Sequence, residues 1–123
     1  MDLGRLSSAA LMLSGMAGVV MPRRVASQLE LPATSGRAVA ETRAGLGGTY
    51  AALGGWALAS SEPAAHLAVG VTWLGAAAAR LGSLAFDRPR TDWTFWAYLT
   101  AEIGLGAGAL ASARRRTEAR SRN

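Results

Sequence analysis

The side chains able to do chemistry in this chain are few, and they sit in apolar company. Glu41, Arg43, Arg80 and Glu102 lie inside or at the edge of long runs that are otherwise uncharged. A charge in such a run is costly unless it is paired or has a task. Tyr98 precedes Glu102 by four residues, so a helix puts both on one face; Trp73 stands seven before Arg80 and shares its face by the same spacing. The guanidinium fork matches a carboxylate, so Arg80 and Glu102 can form a bidentate pair, with Arg43 as competitor and Glu41 balancing the second positive charge. The quartet is formally neutral. Two chemistries stay open: a structural pair that fixes helix register, or a polar pocket lined by Tyr98 that binds a lipophilic anion, a lipid headgroup or a partner.

The rest of the inventory excludes much. The 123 residues contain no Cys and one His, which removes disulfides, thiolate metal sites and a Cys nucleophile, and leaves no His cluster for zinc. All 13 basic residues are Arg. Gly45-Leu46-Gly47-Gly48 is no nucleotide loop, because no strand precedes it and the chain has no Lys. No metal, haem or flavin motif is present, so no cofactor is expected. The net charge of +5 and a pI of about 11.3 suit nucleic acid, but the basic tail follows an apolar run and reads more simply as contacting anionic lipid.

What must position the quartet follows from where the charges fall. Residues 6–21 carry none, 44–61 none, 63–79 only His66, and 93–113 only Glu102. A soluble amphipathic helix needs a polar stripe opposite its buried face, and these runs lack one. With their flanks they reach about 20 residues, the length that crosses a hydrocarbon core of about 30 Å. The pattern predicts an all-α, integral membrane, antiparallel four-helix bundle with spans at about 3–21, 37–60, 63–86 and 92–113 and an Arg-rich, solvated, unstructured tail at 114–123. A secretory signal fits poorly, because Asp2 sits in the would-be basic region and no A-x-A site follows Val20. An Ala-rich soluble bundle is the alternative, supported by a mean hydropathy of only +0.19.

Pro22 stops the first helix, and 22–36 reads as a short helix on the bilayer surface. Ser35 can cap the second helix, and Ser61-Glu62-Pro63 is a turn so tight that it forces an antiparallel hairpin. Small residues at four-residue spacing, Ala44, Gly48 and Ala52 with Gly45 on nearly the same side of the second helix, and Gly104 and Gly108 in the fourth, predict the surfaces where helices pack or self-associate. His66, one turn after Glu62, reads as interfacial. Arg5 and five tail arginines share one side with both termini, against Arg23, Arg24, Arg37, Arg43, Arg88 and Arg90 on the other. The dense run Arg114–Arg116 directly after a span places the termini in the cytoplasm.

The run Glu41-Thr42-Arg43-Ala44-Gly45-Leu46-Gly47-Gly48, then Gly54-Gly55, Ala79-Arg80-Leu81-Gly82 with Asp87 after it, and Glu102 in the last span, resembles the family of small bacterial membrane proteins named domain of unknown function 4345, over about residues 5–113. Many members have Gly-Arg where this chain has Ala79-Arg80. The resemblance implies four spans in the bacterial inner membrane and the same polar residues, and it implies no activity. The expected function is therefore that of a non-enzymatic small membrane protein, an accessory subunit of a membrane assembly or a binder of lipid or a lipophilic anion, alone or as a homo-oligomer. The alternative is a membrane enzyme or redox partner using Glu102 as proton donor or acceptor. Transport would need repeats or oligomers beyond four spans.

Overall fold

Helix starts are written locally in the chain, and a computed structural model, which describes residues 2–122, forms them where side-chain acceptors stand ready. Asp2 accepts from the Arg5 amide at 2.9 Å and opens α1, Leu3–Val20. Pro22 ends α1 and is itself the first residue of α2, Pro22–Gln28, the short helix expected there. Ser35 accepts from the Ala38 amide at 3.1 Å to open α3, Gly36–Thr42. A π-helical turn, Arg43–Gly48, joins α3 to α4, Thr49–Ala59, so the expected second helix is continuous but widened by one residue in mid-course. Pro63 begins α5, Pro63–Phe86, and Asp92 accepts from the Phe95 amide at 3.0 Å to open α6, Trp93–Ser121. The described residues are 84% helical, with no strand among them.

The last helix departs from expectation. The tail read as unstructured continues α6 as far as Ser121, its Arg and Glu side chains remaining exposed except for the half-buried Arg116. Ala, Arg and Glu are good helix formers, and one face of the extension finds acidic partners. Arg116 donates to Asp2 at 2.7 Å, and Arg120, one turn on, grips Glu62 at 2.7 and 2.9 Å. These two clamps tie the start of α1 and the α4–α5 turn to the end of α6.

Antiparallel neighbours follow from the backbone contacts. Gly15 and Gly18 of α1 lie against Gly47, and Gly54 lies against Ser8 and Met12, where an added Cβ would fall on backbone. Gly70 of α5 meets Gly106 and Leu110 of α6, while Gly4 and Leu3 of α1 meet Ser112 and Gly108 of α6. Of the expected packing residues, only Gly108 makes such a contact. Nothing approaches Gly45 or Gly104, Gly48 meets only a carbonyl of its own helix, and Ala52 is exposed. The π turn contributes to this rotation, because Thr42 and Gly47, five residues apart, are both buried where an α-helix would turn them to different sides.

The interior is small and polar. Leu11, Leu99 and Val69 are its largest aliphatic side chains, and they share it with Ala57, Ala65, Ala109, Ser7, Ser8 and Ser112. His66 belongs to it as well, only 1% exposed, with Nδ1 3.3 Å from the Ser8 hydroxyl and Nε2 without a partner. It is a core residue and not the interfacial one expected, because α6 covers the face that a single helix would leave open. The large apolar side chains point outward: Leu6, Leu13, Met16, Val20, Leu67, Val71, Leu81, Ile103, with Phe86 88% and Trp93 80% exposed. Two helices, Leu3–Val20 and Pro63–Phe86, are long and apolar enough to cross a membrane. The 36–59 segment is interrupted by the π turn and diluted by Gly and Ala, and α6 carries Glu102 and the arginines of its last turns.

Two outcomes follow. Gly15→Ala and Gly54→Ala should each lower stability in detergent by about 1–3 kcal/mol by forcing backbones apart, whereas Gly45→Ala and Gly104→Ala should be neutral or slightly stabilising; thermal melts of the four variants decide it. The Arg5 amide and then Arg116 hold the Asp2 carboxyl below the usual carboxylate range, and Arg120 does the same for Glu62. A carboxyl depressed in the folded state contributes stability above its unfolded pKa and loses it as pH falls through the folded value. The melting temperature should therefore drop as pH is lowered from about 5 to 3, and the Asp2→Asn, Glu62→Gln double variant should show a shallower fall.

Candidate functional site

Arg80, two turns before the end of α5, is held in place from α6. Its Nε donates to Glu102 Oε2 at 3.0 Å and its Nη2 to Oε1 at 2.7 Å, the fork-to-fork geometry expected of the pair. The Arg80 side chain is 24% exposed and that of Glu102 7%, so the carboxylate lies behind the guanidinium. Phe95 and Tyr98 lie against Arg80, each ring centre 5.5 Å from its guanidinium carbon, which adds cation–π contacts to the ion pair. Three residues on successive turns of α6, Phe95, Tyr98 and Glu102, thus serve one arginine.

In front of Arg80 opens a cavity of about 550 Å³ between the last turns of α5, the first turns of α6 and the ends of two loops. Arg80, Ser83, Asp87, Phe95 and Tyr98 line it, and Gln28, Leu29 and Glu30 close it from the end of α2. Glu30 reaches Arg90 at 3.6 Å, a bridge between the two loops at its mouth. Glu30 and Arg88 hold left-handed backbone, φ 56° and 48°, and terminate α2 and α5. A non-glycine residue there costs about 1–2 kcal/mol, which the loop contacts offset. Asp92 also faces the cavity, its carboxyl held below the ordinary range by the Phe95 amide.

The expected quartet divides. Arg80, Glu102 and Tyr98 come together, whereas Glu41 pairs with Arg37 at 3.6 Å, both fully in the open. Arg43 opens the π turn and lines a different groove. Sharing one half of the bundle's length does not make four residues neighbours, and the glycine contacts of the 43–59 segment turn its inward face to α1 and not to α5 and α6. Trp73 likewise leaves the Arg80 face, packs on the core and donates to the Ser7 carbonyl at 3.4 Å. Ser83, Asp87 and Phe95 were missed. Their signal was present: Ser83 and Asp87 follow Arg80 by three and seven residues, and Phe95 precedes Tyr98 by three, all helical-face spacings.

Chemically, the site offers a neutralised guanidinium, a phenol, a hydroxyl and rim carboxylates around a partly aromatic wall. Both oxygens of Glu102 are taken by Arg80. Among the described residues no three of His, Asp and Glu converge as metal ligands would. The chain matches no family model, no curated protein and no solved structure.

Removing one partner of the pair leaves an uncompensated charge. Glu102→Gln and Arg80→Leu should each cost about 3 kcal/mol, or less where water or snorkelling relieves the orphan, while the double variant should lose clearly less than their sum. Chemical or thermal unfolding in detergent measures the cycle, and additive losses would contradict the geometry.

Proposed function

We propose that this chain is a non-enzymatic, four-span protein of the bacterial inner membrane, with cytoplasmic termini, that holds the polar end of a lipid or other lipophilic molecule in the Arg80 cavity. The observation that carries the reading is the inverted distribution of side chains: small and polar groups inside, large apolar groups outside. Water selects the opposite arrangement, whereas lipid rewards backbone approach through small residues and tolerates Leu, Val and Phe on the outer face. Charge placement supports it. Among the described residues, the charged side chains between the two ends of the bundle are Arg80 and Glu102, paired with each other. The aromatic residues also gather where an interface would lie, with Phe86, Trp93 and Trp96 at one end and Trp56 near the other. The 24 residues of α5 would span about 36 Å, and the 93–113 part of α6 about 31 Å.

The ligand class follows from the site. Glu102 already satisfies Arg80, and Glu30, Asp87 and Asp92 outweigh Arg90 around the cavity, so the site favours a zwitterionic or uncharged polar head over a free anion. That narrows the earlier expectation of a lipophilic anion. The same pairing counts against Glu102 as a proton donor or acceptor, because each of its oxygens already accepts from Arg80 and its side chain is only 7% exposed. The likeness to domain of unknown function 4345 agrees with this reading and rests on the residues quoted for it.

Alkaline carbonate should leave the full chain in the membrane pellet; its release would overturn the membrane reading. Mild-detergent purification followed by mass spectrometry should find one lipophilic molecule per chain, lost on Tyr98→Ala and Ser83→Leu with helicity unchanged. A stoichiometric protein partner in its place would make the chain an accessory subunit.

A further inference from the structure

A second groove, of about 400 Å³, shares no residue with the Arg80 cavity and differs from it in charge. It forms where α1 ends, α2 begins and the π turn opens, and it is lined by Arg23, Arg24 and Arg43 with Val20, Met21 and Val39. The three arginines are exposed, and among the described residues none pairs with a carboxylate. The acidic residues nearest in sequence are engaged elsewhere, Glu30 with Arg90 and Glu41 with Arg37. Three like charges gathered from two separate parts of the chain repel one another, and nothing within the chain offsets them. An external anion would. Beside them Val20 and Met21, 66% and 44% exposed, continue the apolar outer face of α1 that includes Leu13 and Met16. Cationic forks that suit phosphate, next to an apolar strip, describe a receptor for an amphiphile with a phosphate head.

We propose that Arg23, Arg24 and Arg43 bind the phosphate diester of an anionic phospholipid whose acyl chains lie along Val20 and Met21. Only the placement of the acyl chains rests on the membrane reading above; the three-arginine phosphate site rests neither on that reading nor on the Arg80 cavity, and the groove and the cavity bind different chemistry.

The test uses the purified full chain in a non-ionic detergent, titrated with phosphatidylglycerol or phosphatidylcholine in mixed micelles. Phosphatidylglycerol should bind preferentially. Each arginine changed to Gln should weaken that binding about fivefold, and Arg23→Gln, Arg24→Gln and Arg43→Gln together about a hundredfold. Arg43→Lys, which keeps the charge and loses the fork, should fall between wild type and Arg43→Gln. A control pair, Arg5→Gln and Arg88→Gln, removes two exposed, unpaired arginines that lie outside both the groove and the basic tail and should change affinity less than twofold. Circular dichroism on every variant establishes that the fold is retained. Wild-type affinity in the groove triple, or an equal loss in the control, overturns the site. Millimolar inorganic phosphate should fail to displace the lipid; displacement, with phosphate itself bound through the same three arginines, makes the ligand a soluble phosphate and overturns the lipid assignment. Carbonate extraction separates the two ideas: release of the chain with phosphatidylglycerol binding still dependent on the three arginines discards the membrane reading and keeps the site.

Discussion

The bundle is organised by the approach of two backbones. Gly15 and Gly18 of α1 meet Gly47 across a gap that admits no Cβ, and Gly54 meets Ser8 and Met12 in the same way. Once α1 and the 43–59 segment lie so close, little space remains between them for large side chains, and the interior fills with Ala, Ser and Gly. Dispersion between closely spaced backbones, not burial of bulky side chains, must then supply the attraction. The bulky groups have nowhere to go but outward. The inverted distribution that underlies the proposed function is thus a consequence of this single contact and of its counterpart at Gly70 and Gly106 between α5 and α6.

The same geometry explains why the polar groups are inside. A helix laid flat against another leaves short side chains within reach of neighbouring backbone: the Ser112 hydroxyl of α6 accepts from the Gly4 amide of α1 at 2.8 Å, while the Ser8 hydroxyl is satisfied within α1, donating to the Gly4 carbonyl one turn back at 2.8 Å. His66 fills the space beside them. Farther along, where Gly75, Gly82 and Gly104 meet nothing within 4 Å, the guanidinium of Arg80 and the carboxylate of Glu102 join α5 to α6 by a bidentate bond. The cavity lies just beyond, where the pair gives way to the aromatic wall and the loops that the left-handed Glu30 and Arg88 turn over it. The opposite end is held by exposed clamps on Asp2 and Glu62, each individually of small energetic weight but together fixing three chain segments.

Much of the element structure was legible because its signals are local. Asp2, Ser35, Pro63 and Asp92 start helices by chemistry confined to a single turn, and Pro22 stops one. The Arg80–Glu102 pair was legible for a related reason: two opposite charges in otherwise apolar helices have few ways to be satisfied. The extension of α6 was not, since whether Arg116 and Arg120 order a helix depends on Asp2 and Glu62 being carried to them by other elements.

By itself, the sequence determined that the chain is all helix, where most of its helices begin and end, and that Glu102 suits an arginine partner, with Arg80 and Arg43 left as competitors. Tertiary structure decided which face of each helix is inside. In 44–57, Gly or Ala stands on every side, so periodicity offers no preference between the stripe through Gly45, Gly48 and Ala52 and the stripe through Gly47, Ala51 and Gly54. Only the fit against α1, together with the one-residue widening at Arg43–Gly48, selects the second. That choice also separates Arg43 and Glu41 from Arg80. Helix formation depends on neighbours within a turn, whereas facing depends on shapes that exist only once a second helix is present.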